Sequence, residues 1–232
     1  MILYINGDSH SAAGEAVNSY CFAEDDTRYS YMGRAPHPDN LKVSYGAELS
    51  KILKAKLICQ AESASSNDRI IRTTREFLKQ PTNDKPFVII GWSTWEREEW
   101  LHNGTYWQVN LGFPGQDWPA EIKERYRPWI MNIHMKSKMR EWNQKIWDFH
   151  QELSSQEIKH FFFNTFEDLG VKEDERKDWG NSYLAPYDYD QTYYNWLISR
   201  GFKPVKPGSY HFGPDAHFAW AQHLIKPLTK IL

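Results

Sequence analysis

Cysteine is almost missing from this chain: Cys21 and Cys59 are the only two in 232 residues. Two thiols cannot build the disulfide scaffold of a small secreted domain. With no secretory signal ahead of them, they read as small core hydrophobes in a reducing, cytoplasmic compartment. No apolar run is long enough to cross a bilayer, and Ile2–Asn6 is far too short for a signal peptide, so no membrane partner is expected. An excess of one charge is missing too. Lys and Arg number 28 against 30 Asp and Glu, a formal net charge of −2, which gives no electrostatic footprint for nucleic acid. Repeats, low-complexity segments and glycine-rich phosphate loops do not occur. The nine histidines never fall at metal-ligand spacing with Cys or carboxylates. Neither a metal nor a cofactor is expected, and the oligomeric state is left open.

What the chain does have is aromatic mass, 16% of residues with 11 Trp. Such a load suits a thick core, a sugar-stacking cleft or a docking surface, and composition alone does not choose among them. Length fits one domain with a sizeable core.

The stretch that organises the chain is Ile2-Leu3-Tyr4-Ile5-Asn6-Gly7-Asp8-Ser9. Its apolar run reads as a buried strand, Gly7-Asp8 turns the backbone, and the small residues from Ser11 to Ala16 suit a helix reaching about Tyr20. Ser9 then stands beyond the carboxyl end of a strand, where ligands bind in open parallel sheets, and at a helix N-terminus that favours negative charge. A serine hydroxyl needs a base to become a nucleophile, and histidine is the usual one. The far end supplies Gly208-Ser209-Tyr210-His211-Phe212-Gly213-Pro214-Asp215-Ala216-His217.

Together the two ends resemble the SGNH (GDSL) hydrolases, a family of esterases and lipases with relatives in tailed phages. Gly7-Asp8-Ser9 is similar to the family's first block, and His211 with His217 to its last. The resemblance implies Ser9 as nucleophile, His211 as base and Asp8 as a residue that orders the turn. It places the oxyanion hole at the backbone N–H of Ser9, at Ser63 or Ala64 where the family has a glycine, and at Ser93 where it has an asparagine. The family's acid lies three residues before the histidine, and that position is Gly208. Asp188, Asp190 and Asp215 are the candidate replacements, beside a backbone carbonyl or no catalysis at all. A second register makes His217 the base, with Asp215 as its acid.

The implied fold is a three-layer α/β/α sandwich of flavodoxin-like order, with a mostly parallel sheet of four to five strands. In chain order the pattern gives a polar loop from Glu24 to Asp39 and a helix over Ser44–Lys54. A strand at Leu57–Cys59 follows, then a helix starting near Ser66. The clearest strand is Pro86–Gly91, and Glu98–Asp117 reads as a long lid-like loop. From Pro119 the spacing turns helical, with Pro128 expected to divide a short helix from a long one. His160–Asn164 reads as a strand, Gln191–Arg200 as a helix, and Gly213-Pro214 as the start of the last helix. The domain is thus 1–232, with an aromatic-rich loop and helical insertion at about 92–155. Two functions fit. One is a serine ester hydrolase acting on a small acyl ester such as an O-acetylated carbohydrate. The other is a non-catalytic binding or structural protein on the same scaffold, virion-associated in the phage version.

Overall fold

The computed structural model describes residues 1–24, 29–82, 84–112, 115 and 117–232. In order they form β1 (Ile2–Asn6), α1 (Pro38–Lys42), α2 (Tyr45–Ile52), β2 (Lys56–Cys59), α3 (Asn67–Leu78) and β3 (Phe87–Trp92). Next come β4 (Glu98–His102), β5 (Thr105–Val109), α4 (Ala120–Asn132), α5 (Met135–Ser155), β6 (His160–Asn164), α6 (Tyr193–Ser199) and α7 (Pro214–Leu228).

Four strands pair in the order β2-β1-β3-β6, every pair parallel. Side chains alternate across a strand, and both sheet faces are apolar, so each must be covered. Leu3, Ile5, Phe87, Ile89, Phe161 and Phe163 face one layer, where α2, α6 and α7 bring Leu49, Leu197 and Trp220. Tyr4, Val88, Ile90, Trp92 and Phe162 face the other, where α3 and α5 bring Ile70, Phe77, Trp142 and Phe149. The fold is α/β, three layers on a parallel sheet. Most of the aromatic mass is core.

Local chemistry explains where the helices start. Ser44 and Ser66 turn their hydroxyls onto the N–H groups of Ala47 and Arg69, capping α2 and α3. Pro214 sits in the first turn of α7, where its missing N–H costs nothing.

Three sequence expectations need correction. No helix follows Ser9. Residues 9–19 run through successive turns, with Ala13 at φ 54° and Glu15 at φ 60°, values that break a right-handed helix. The Glu98–Asp117 segment is largely a hairpin, β4 against β5, and its edge is extended by residues 30–32 through Met32 N–H to Tyr106 O and Gln108 N–H to Ser30 O. Pro114 of that segment lies outside the described residues, as do Asp25 and Asp26 of the polar loop. Pro128 does not divide the helices either. It sits inside α4 on an exposed face, and the break falls at Ile133, whose backbone is extended. A proline removes one helical hydrogen bond, which water can replace on an exposed face.

The hairpin and α4 pack on each other through Trp100, Val109, Trp118, Ile122 and Tyr126, a small third core. Helix α5 packs into the main sandwich through Trp142, Ile146, Phe149 and Leu153. The hairpin is held down by Arg72 of α3, whose guanidinium forks onto Glu99 at 2.8 and 3.0 Å.

Candidate active site

The site stands at the carboxyl ends of β1 and β3, where three turns meet. The backbone packs tightly there. A Cβ on Gly7 would meet the Gly91 carbonyl at 2.8 Å, and one on Gly91 would meet the Phe163 ring at the same distance. Only glycine permits this approach. Ser11 fits between them, its hydroxyl receiving a hydrogen bond from Tyr45 at 2.8 Å.

The turn after β1 is ordered by Asp8, which is fully buried. One carboxylate oxygen accepts from the His10 N–H and faces His10 Nδ1, both at 3.0 Å. The other lies 3.2 Å from both Ser93 Oγ and Arg97 Nη1. Burial works to raise the pKa of Asp8, but His10 and Arg97 outweigh it and hold the carboxyl well below the usual carboxylate range. Ser9 follows, 5% exposed, and opens onto a cleft of about 670 Å³.

His211 lines the same cleft. The chain that carries it is tied back by Val205 N–H to His211 O at 2.9 Å and anchored by Phe212, buried in the core. Its Nδ1 is 2.7 Å from Glu15 Oε2. The same carboxylate accepts from Ser209 Oγ at 2.7 Å and pairs with Lys206. With Nδ1–H donating to the carboxylate, the lone pair of the ring is on Nε2. The His211 hydrogen bond, with help from Lys206 and Ser209, overcomes burial and draws Glu15 down to about 2. Burial in turn lowers His211 below its ordinary value, while Glu15 pulls the other way. The ring of His10, one residue after Ser9, is centred 5.2 Å from that of His211.

The carboxylate that His211 meets is that of Glu15, and Asp188, Asp190 and Asp215 stand elsewhere. Asp188 caps a short 3-10 turn by accepting from Asp190 N–H, and Asp215 lies in the first turn of α7. Gly208 has φ +78°, a backbone that an aspartate would adopt only with strain. His217 is buried against Tyr45 and Tyr193, and burial pushes its pKa down to about 3. It does not line the cleft.

Ser63 and Ala64 do line it. Their turn is pinned by Glu62, whose buried carboxylate accepts from Gly33 and Arg34 N–H at 2.9 Å and pairs with Arg69 at 2.6 Å. Ala64 adopts φ 67°, the left-handed conformation a glycine takes freely, at a cost of roughly 1–2 kcal/mol for alanine. Ser93 is held by Asn67, whose amide brackets the Ser93 backbone at 2.8 and 3.0 Å. Its hydroxyl accepts from Arg97 at 2.9 Å, and it is Arg97 that lines the cleft.

Sequence reasoning missed Glu15 and Arg97. Reading residues 11–20 as a helix hid the first, and a charged residue just past the clearest strand was the available signal for the second. Among the described residues no group of three His, Cys, Asp or Glu is placed to hold a metal ion. Both cysteines are free thiols, and no described helix is long and apolar enough to cross a membrane.

No family model matches the chain, and no curated protein does. Solved structures similar to it include two carbohydrate esterases. One is a carbohydrate esterase whose active site displays divergent catalytic and non-catalytic binding functions, at TM-score 0.42 and 11% identity. The other is a carbohydrate esterase family 2 enzyme with a carbohydrate-binding domain from Corynascus thermopiles (Myceliophthora fergusii), at TM-score 0.45 and 13% identity. They cover 98% and 99% of this chain, which spans only 64% and 65% of theirs.

Proposed function

We propose that the protein is a serine ester hydrolase of SGNH type, acting on a small acyl ester such as an O-acetylated carbohydrate. The observation that carries the reading is the Glu15–His211 pair at 2.7 Å, whose histidine lines the same cleft as Ser9. A carboxylate on Nδ1 fixes the tautomer whose Nε2 can take a proton, and steadies the imidazolium that results.

The reaction then runs in two halves. Ser9 Oγ attacks the ester carbonyl carbon as its proton passes to His211 Nε2. The tetrahedral intermediate breaks its bond to the alkoxy oxygen, and His211 returns the proton to the departing alcohol. Water, deprotonated by the same nitrogen, attacks the acyl–Ser9 ester; the carbon–Oγ bond breaks, His211 returns the proton to Ser9 Oγ, and the carboxylic acid is released.

The oxyanion takes the backbone N–H of Ser9 and one from Ser63 or Ala64, whose left-handed turn does the work of a glycine. The Ser93 hydroxyl donates to Asp8 and accepts from Arg97, so its part is to orient Arg97, whose guanidinium brings positive charge to the cleft. Asp8 holds this arrangement from beneath and transfers no proton.

A fluorophosphonate probe tests the assignment. It labels the wild type at Ser9, the Ser9→Ala variant stays unlabelled, and p-nitrophenyl acetate turnover is lost with the label. A folded wild type that neither labels nor turns over ester has a binding role instead.

A further inference from the structure

The cleft has a second wall that the chemistry above does not use. Gln108 of β5 stands on it, 3% exposed. Its strand is hydrogen-bonded on both sides, to β4 and through its own N–H to Ser30 O at 3.0 Å, so its position is set by backbone. Its Oε1 accepts from Asn110 Nδ2 at 3.2 Å, whereas its Nε2 is buried with no protein partner. Trp118 also lines the cleft, 4% exposed, and its indole N–H is likewise buried and unpartnered. Gly115 lies against that nitrogen, where any larger side chain would collide with it.

Buried donors are nearly always paired, since an unpaired one forfeits its hydration for nothing. Two such donors on residues that line one cleft ask for acceptor oxygens from outside. Both donors are uncharged, which suits the neutral oxygens of hydroxyl groups. We infer that this wall is a subsite for the alcohol half of the ester, where Gln108 and Trp118 donate to the oxygens of a neutral, hydroxyl-rich alcohol such as a pyranose. The inference rests on the hydrolase reading of Ser9 and His211, because it needs an alcohol to be held beside them. Gln108 is thereby a specificity-determining residue. A site built to donate to substrate oxygens discriminates against alcohols that lack them.

The test compares a mono-O-acetylated methyl glucopyranoside with p-nitrophenyl acetate in wild type, Gln108→Leu and Trp118→Phe. In each variant the ratio of kcat/KM for the sugar ester to that for p-nitrophenyl acetate falls by about 10- to 100-fold. Equal losses on both substrates, as a purely structural role gives, overturn the subsite, and so does an unchanged ratio. Trp118→Phe keeps the ring and its packing, so it reads the same point if Gln108→Leu folds poorly. Saturation-transfer NMR with methyl glucopyranoside separates this proposal from the hydrolase assignment. Binding to wild type that is lost in Gln108→Leu supports the subsite even where no ester is cleaved. No binding to wild type, or equal binding to both, overturns it.

Discussion

Replacing Glu15 by Gln removes one charge and keeps the side chain's size. The ordinary carboxyl value of 4.5 is drawn down to about 2 at this position. At about 1.4 kcal/mol per pH unit this is roughly 3–4 kcal/mol in favour of the carboxylate. It is shared among His211, Lys206 and Ser209, and the side chain is 14% exposed, so solvent screens part of it. About 1–2 kcal/mol of stability is therefore expected to disappear, about 2–8 °C in Tm for a chain of this size. Activity falls much further. A serine triad whose histidine loses its carboxylate drops by about 10⁴, because the wrong tautomer is populated and the imidazolium is unsupported. Glu15 also opposes the lowering of the His211 pKa. Without it that pKa falls further, so the acid limb of residual kcat/KM moves to lower pH. The assay is p-nitrophenyl acetate hydrolysis from pH 4.5 to 9, beside thermal unfolding of both proteins. An intact Glu15→Gln enzyme within tenfold of wild type at pH 7, or an acid limb displaced upward, refutes the role given to Glu15.

Two other perturbations follow from the same geometry. Arg97→Met takes the guanidinium from the cleft while keeping a stem of similar reach. Losing this positive charge beside the developing oxyanion is expected to cost about 10²–10³ in kcat, and a loss confined to KM would limit Arg97 to substrate binding. Acid stability is governed first by histidines. His160 and His217 are held at about 4 and about 3 by burial, against an unfolded value of 6.5. The unfolded chain thus binds protons that the folded one refuses. Their contribution is complete above pH 6.5 and is lost as pH falls, at about 1.4 kcal/mol per pH unit for each residue. Urea midpoints measured from pH 6.5 to 4.5 should decline accordingly, and His217→Phe should flatten the slope by one proton's worth. An unchanged slope contradicts the buried neutral state of His217.

The periodic elements were legible in the sequence because their cause is local. The β3 segment is apolar throughout since both faces of a parallel strand are covered. Helices α2 and α3 begin where a serine can cap them, and α7 begins at a proline. The hairpin was missed because Glu98–Val109 alternates weakly and its cross-strand partners, including residues 30–32, are remote or set by tertiary contact.

For the site, local pattern determined that Ser9 ends a strand and that His211 precedes the last helix. Tertiary structure decided what those residues meet. Glu15 reaches His211 only because Ala13 and Glu15 itself take left-handed backbone conformations, which no helix or strand propensity encodes and which packing around Gly7, Ser11 and Gly91 makes affordable. Arg97 comes to the cleft through two contacts, Asp8 and Ser93, and Asp8 lies 89 positions away in the chain. Sequence periodicity reports which face of an element is apolar. A polar constellation drawn from separate turns depends on the folded path of each, and that path exists only once the core has closed.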